Sequence, residues 1–115
     1  MSGARDATFR AIADPSRRRM IEVLADGERT VNELCSLFDT SQPAVSQHLR
    51  VLRDAGLVRH RQEGRHRYYR LDAAPLREVF DWSAHYQRFW TRKLDALAEL
   101  LSRESGRARK KRGEA

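Results

Sequence analysis

Residues 40–55, Thr-Ser-Gln-Pro-Ala-Val-Ser-Gln-His-Leu-Arg-Val-Leu-Arg-Asp-Ala, admit few folds, because they encode a helix with a narrow buried stripe and a polar outer face. Ser41 is a helix N-cap, its hydroxyl able to accept a first-turn N–H that has no helical partner. Pro43 falls in that first turn, where a missing N–H costs nothing. Val45, Leu49 and Leu52 recur at i, i+4 and i+7 and make one apolar stripe. At about 100° per residue, Pro43, Ser46, Gln47, Arg50 and Asp54 lie on the opposite side. Amide, hydroxyl and guanidinium groups on one outward face are the chemistry that reads base edges and phosphates. The same face also fits an ordinary solvated helix, and its neighbours in the chain decide between the two.

Upstream, Thr30-Val-Asn-Glu33 is a capping box, in which Thr30 caps a helix start and Glu33 reaches back to it. Val31, Leu34, Cys35 and Phe38 then mark the apolar face of a short helix ending near Phe38. Asp39-Thr40-Ser41 connects it tightly to the second helix, and the pair reads as a helix-turn-helix. Downstream, Gly56 stops the second helix as a left-handed residue. Leu57–Gln62 and His66–Leu71 read as strands, with Glu63-Gly64-Arg65 as the hairpin turn. A helix-turn-helix followed at once by a basic hairpin is a winged helix. From Arg50 to Arg70 there are seven arginines against Asp54 and Glu63.

The chain's 115 residues amount to one domain, and its net charge of +7 favours a polyanionic partner. Only Lys93, Lys110 and Lys111 are lysines among the 23 basic residues. Arginine's planar fork suits bidentate contact to phosphate and guanine. One cysteine excludes an internal disulfide framework. No apolar run resembles a signal peptide or approaches the roughly 20 residues of a membrane span, so a soluble, cytoplasmic protein with no membrane partner is expected.

Ahead of the helix-turn-helix, Ala4–Ala13 forms a first helix carrying Phe9 and Ile12. A second runs to Ala25, with Asp14 as N-cap, Pro15 at its first position, and Met20, Ile21 and Leu24 inward. After the hairpin one long helix is expected from about Ala74-Pro75 to Arg103, roughly 45 Å, too long for a small core to cover. Leu76, Ser83, Trp90 and Leu97 recur every seven residues, as do Phe80, Gln87, Leu94 and Leu101. Val79, Trp82, Tyr86 and Phe89 widen the stripe, so that one side packs on the domain and the other on a second copy. Phe80, Trp90, Leu94 and Leu97 are the expected dimerisation residues. The domain thus spans 1–103, and residues 104–115 are a basic tail expected to be disordered.

The run Ala13-Asp-Pro-Ser-Arg-Arg-Arg19 resembles the start of an ArsR-type winged-helix repressor. So do Thr30-Val-Asn-Glu-Leu34, Ser41-Gln-Pro-Ala-Val-Ser-Gln-His-Leu-Arg-Val-Leu52 and Gly64-Arg-His-Arg-Tyr-Tyr-Arg-Leu71. The resemblance covers about residues 5–101, and these motifs together are more specific than the helix-turn-helix alone. Asp81-Trp82 and Arg88-Phe89-Trp90 resemble a branch of that family not regarded as metal sensing. The resemblance implies a mainly α fold with a small β-hairpin, dimeric through its terminal helices. It also implies a homodimer that binds double-stranded DNA at an operator and represses transcription, with no cofactor.

On that fold, Ser41, Gln42, Pro43, Ser46, Gln47, His48 and Arg50 are the residues expected on DNA. His48, at the edge of the apolar stripe, either contacts DNA or packs beneath the helix. Arg65 and Arg67 of the wing are expected against the backbone or minor groove. Metal-sensing relatives carry a Cys-x-Cys arrangement or Asp/His clusters on the last helix. Here Cys35 stands alone on an apolar face, and soft-metal thiolate sites need at least two or three sulfurs. Asp81 and His85 at i, i+4 lack a further histidine, and His60 and His66 belong to the hairpin; no metal site is expected. Nothing converges as a phosphate loop, nucleophile or acid–base pair, so no enzyme is expected. A metal- or redox-responsive repressor of the same fold and a nonspecific nucleic-acid-coating protein stand as alternatives, and the sequence specifies no effector.

Overall fold

The computed structural model describes residues 3–113, with side chains to residue 106. The chain divides into two compact units, the first ending at Phe80 and the second beginning at Asp81.

The first unit opens with α1 (Gly3–Ile12) and α2 (Pro15–Ala25). Their corner is built by the Asp14 carboxylate, which accepts the Arg17 N–H at 3.0 Å and caps α2. Arg17 turns back in return, donating to the carbonyls of Ala11 at 2.7 Å and Arg10 at 2.9 Å and so satisfying the end of α1. On α1 the buried residues are Thr8 and Ala11, whereas Phe9 and Ile12 are half-buried. Thr8 tolerates burial because its hydroxyl donates to the Ala4 carbonyl at 3.1 Å.

A two-residue strand, β1 (Arg29–Thr30), leads into α3 (Val31–Phe38). The capping box is formed on both sides: the Glu33 N–H donates to Thr30 Oγ1 at 3.2 Å, and the Thr30 N–H donates to Glu33 Oε1 at 3.0 Å. Asp39, at φ 48°, reverses the chain after α3. Then α4 (Gln42–Asp54) begins, with the Ala44 N–H donating to Ser41 Oγ at 3.3 Å. Gly56, at φ +77°, ends it, and the Leu57 N–H closes onto the Leu52 carbonyl at 2.9 Å.

The wing is β2 (Val58–Glu63) and β3 (His66–Leu71), joined by Gly64-Arg65 with Gly64 at φ +62°. Sheet order is β1-β3-β2, antiparallel throughout, with Thr30 and Arg61 both opposite Tyr68. The hairpin was legible in the sequence; β1, on the far side of β3, was not. Met20, Leu24, Leu34, Val45, Leu49, Leu52, Leu57, Val58 and Tyr69 form one core joining α2, α3, α4 and the sheet. The architecture is a winged helix-turn-helix, mainly α with a small sheet.

The single helix expected over 75–103 is two helices, α5 (Leu76–Ala84) and α6 (Gln87–Gly113). At the break the His85 and Tyr86 N–H groups close onto Trp82 and Ser83 three residues back, tightening the end of α5 instead of continuing it. The seven-residue register drawn through Phe80 and Leu94 therefore does not run on one helix. At the other end α6 continues through residues 104–113 of the 104–115 segment expected to be an unstructured tail, and residues 114 and 115 lie outside the described residues.

Candidate nucleic-acid interface

Helix α4 shows its sequence pattern directly. Val45, Leu49 and Leu52 are fully buried, and this fixes the opposite face outward. Ser41, Gln42, Pro43, Ser46, Gln47 and Arg50 are all exposed. His48 is the exception in the expected set. Its side chain is 23 % exposed, with Nδ1 3.5 Å from Arg17 Nη1 and 4.0 Å from the Asp14 carboxylate. It sits on the seam between α4 and the α1–α2 corner.

The fold brings α4 and the wing together. Thr30, Val31, Asn32, Gln42, Arg65, His66 and Arg67 line one groove between the starts of α3 and α4 and the hairpin. Gln42, Arg65 and Arg67 were read as site residues from the sequence. Asn32 was not; its position inside the capping box, on the polar side of α3, was the available signal.

Five of the seven arginines of 50–70 fall into two groups. Arg59 pairs with Asp72 at 2.7 Å, and Arg61 pairs with Glu28 at 2.9 Å and Glu63 at 2.6 Å. Arg50, Arg65 and Arg67 have no carboxylate partner among the described residues. Their charge is available to an external anion. His60, stacked near Tyr69 with ring centroids 5.5 Å apart, has its pKa lowered by desolvation first and then by Arg53 and Arg67. It is therefore held neutral beside two cations. Glu63 and Asp72, each bonded to an arginine, are held below the usual carboxylate range.

Cys35 is half-buried against the core with Val31 and Phe38. No group of three or more His, Cys, Asp or Glu side chains gathers as a metal site among the described residues. No helix of the described residues is long and apolar enough to cross a membrane.

The apolar residues expected in a dimer are exposed in this single chain. Phe80, in the first unit, is 71 % exposed; in the second, Trp90 is 56 %, Leu94 61 % and Leu97 50 % exposed. Trp82 and Tyr86 stack at 5.3 Å at the α5–α6 break, and Phe89, Trp90, Lys93 and Leu94 line an apolar groove on α6.

Comparison with known proteins agrees with this geometry. Residues 14–60 match the family model described as bacterial regulatory protein, arsR family. The HTH-type transcriptional regulator Rv2034 of Mycobacterium tuberculosis is 42 % identical over 99 residues, covering 86 % of this chain and 90 % of that one. The transcriptional repressor SdpR of Bacillus subtilis is 31 % identical over 78 residues, covering 68 % and 87 %. A crystal structure of an ArsR family transcriptional regulator superimposes with a TM-score of 0.70 at 33 % identity, covering 79 % of this chain and 94 % of that one. With the winged helix-turn-helix, the outward polar face of α4 and relatives matched over nearly their whole length, the chain belongs to the arsR family of bacterial regulatory proteins.

Proposed function

We propose that the protein is a homodimeric transcriptional repressor that binds an inverted-repeat operator in double-stranded DNA. The observation that carries this reading is the groove in which the start of α4 meets Arg65 and Arg67 of the wing. A helix inserted in the major groove from its N-terminal end puts Gln42, Ser46, Gln47 and Arg50 nearest the bases. Ser41, Pro43 and the positive end of the α4 dipole then lie at a phosphate. Arg65 and Arg67 act on the backbone beside it, giving affinity more than sequence choice. His48 supports the orientation of α4 from its inner edge. Phe80 on α5 and Trp90, Leu94 and Leu97 on α6 are each dimerisation residues that a second copy covers. The repressor assignment follows relatives such as the Bacillus subtilis protein, whose name states that role.

The test is footprinting on DNA from the protein's own locus, followed by a variant matrix on that operator and on scrambled DNA at several salt concentrations. Half-site centres are expected about 34 Å, or a multiple, apart. Gln47→Ala and Arg50→Ala are expected to cost about 1–3 kcal/mol per half-site and to relax preference at one operator position each. Arg65→Ala and Arg67→Ala are expected to weaken all sequences and to lower the salt slope by about one unit per lost contact. Chelator and Cys35→Ser should leave operator affinity within a few-fold of wild type. Equal proportional losses on operator and scrambled DNA for Arg50→Ala and Arg65→Ala would overturn the recognition-helix assignment. Stoichiometric zinc whose removal changes affinity would favour a metal-responsive repressor instead.

A further inference from the structure

Arg61 is one of the seven arginines of the α4–wing stretch, yet all three nitrogens of its guanidinium donate to carboxylates within the protein. Nε and Nη2 donate to the two carboxylate oxygens of Glu28 at 2.9 and 3.3 Å, and Nη1 donates to Glu63 at 2.6 Å. Between those contacts the guanidinium carbon lies 4.8 Å from the centre of the Tyr68 ring. The sheet order makes this arrangement informative. Arg61 is on β2, Tyr68 is its partner on the central strand β3, and Glu28 immediately precedes β1 on the far side. The arginine therefore crosses β3 and ties the two outer edges of the sheet together. A bidentate fork stacked on an aromatic ring holds a side chain in one geometry better than a lysine ammonium does. What it ties is the hairpin to the chain leading, through Thr30, into the capped start of α3.

We propose that Arg61 and Glu28 form a strap across the sheet that sets the tilt of the wing against the helix-turn-helix, making both positioning residues for DNA binding. The inference rests on the reading that the wing touches the DNA backbone, and adds what aims it there. The strap keeps Arg65 and Arg67 on the groove they share with Gln42 and Asn32. Arg61, its charge paired with Glu28 and Glu63, leaves phosphate contact to those two.

The charge of Glu28 makes the test sharp. Neutralising an acid on a DNA-binding protein raises affinity if charge alone matters. If Glu28 aims the wing, its loss lowers affinity despite the gain in positive charge. Operator binding of the full-length protein is measured across a salt series for Glu28→Gln, Arg61→Gln, Arg61→Lys and Arg67→Gln. Glu22→Gln, an exposed acid on α2, is the charge control. Glu28→Gln, Arg61→Gln and Arg61→Lys are each expected to weaken operator binding about two- to fivefold, the range of an exposed ion pair. Their salt slopes should match wild type, and Glu22→Gln should bind as well as wild type or better. Arg67→Gln should lose slope, by about 0.9 for one phosphate contact. Circular dichroism melts confirm that each variant is folded. If Glu28→Gln binds as tightly as wild type or tighter, or Arg61→Gln loses slope as Arg67→Gln does, the strap is overturned while the wing reading stands. If Arg67→Gln leaves both affinity and slope unchanged, the wing does not touch the backbone, and the strap falls with that reading.

Discussion

At the scale of single residues, His60, one of the wing's two histidines, shows how local environment converts to a pH response. His60 is desolvated beside Tyr69 and faces Arg53 and Arg67, and all three influences lower its pKa in the folded protein. In the unfolded chain it titrates near the ordinary histidine value of about 6.5. Above that pH both states are neutral and His60 has no effect. As pH falls through it, the unfolded chain takes up the proton first, so stability is lost until the folded-state pKa is passed. Melting temperature is therefore expected to decline from pH 7 to pH 5, with a shallower decline in His60→Gln. An identical decline in that variant would show that His60 does not carry the response. Asp14 is the counterpart at lower pH: backbone hydrogen bonds from Arg17 and Ser16, with help from the Arg17 and His48 charges, hold its carboxyl below the usual range. The α2 cap it makes persists until more acid conditions.

Elements differ in how much of themselves they declare in sequence, and the difference is one of locality. Everything that defines α4 lies within it or at most two residues away: the Ser41 cap, Pro43, the Val45-Leu49-Leu52 stripe and the Gly56 stop. The α3 capping box and the Gly64 turn are equally local. By contrast, β1 is two residues whose pairing partner, β3, follows some forty residues later, and no alternation can develop over that length. The α5–α6 break was hidden because the apolar spacing continues across His85-Tyr86 without a proline or glycine to mark it. At the site, the outward face of α4 was legible because burial of one stripe dictates the other side. That His48 turns inward, and that Arg59 and Arg61 are committed to Asp72, Glu28 and Glu63, depends on partners far away in sequence. The wing offers a test at this scale. Gly64 has φ +62° with nothing within 4 Å of an added Cβ, so Gly64→Ala meets only backbone strain. That strain is about 1–2 kcal/mol for a left-handed residue. Faster hydrogen exchange is expected at the tip of β2–β3, with α3 and α4 unchanged and operator binding weakened. Unaltered exchange at the tip would show that the turn does not depend on this conformation.

For the whole molecule, the distribution of apolar surface separates what the chain completes alone from what it does not. Around α2, α3, α4 and the sheet, the large apolar side chains other than Leu37 are buried in one core or packed half-buried against it. In α6, Phe89, Trp90, Leu94, Leu97, Leu100 and Leu101 are all at least half exposed. At about 100° per residue, Trp90, Leu94, Leu97 and Leu101 share one stripe, while Phe89 and Leu100 lie on a neighbouring one. A continuous patch of this kind marks an interaction surface, and a second copy of the same helix presents the same stripe. Dimerisation and operator affinity are then linked, because two half-sites bound through one dimer gain effective concentration. Trp90, the largest residue of the stripe, is the expected anchor, and truncating such a residue costs about 2 kcal/mol or more, roughly thirtyfold in dimer dissociation constant. Sedimentation equilibrium of Trp90→Ala should show that shift, with weaker binding to a two-half-site operator and little change on a single half-site. Wild-type protein sedimenting as a monomer at micromolar concentration would remove the dimer. Equal losses on one and two half-sites would separate Trp90 from the coupling between assembly and DNA.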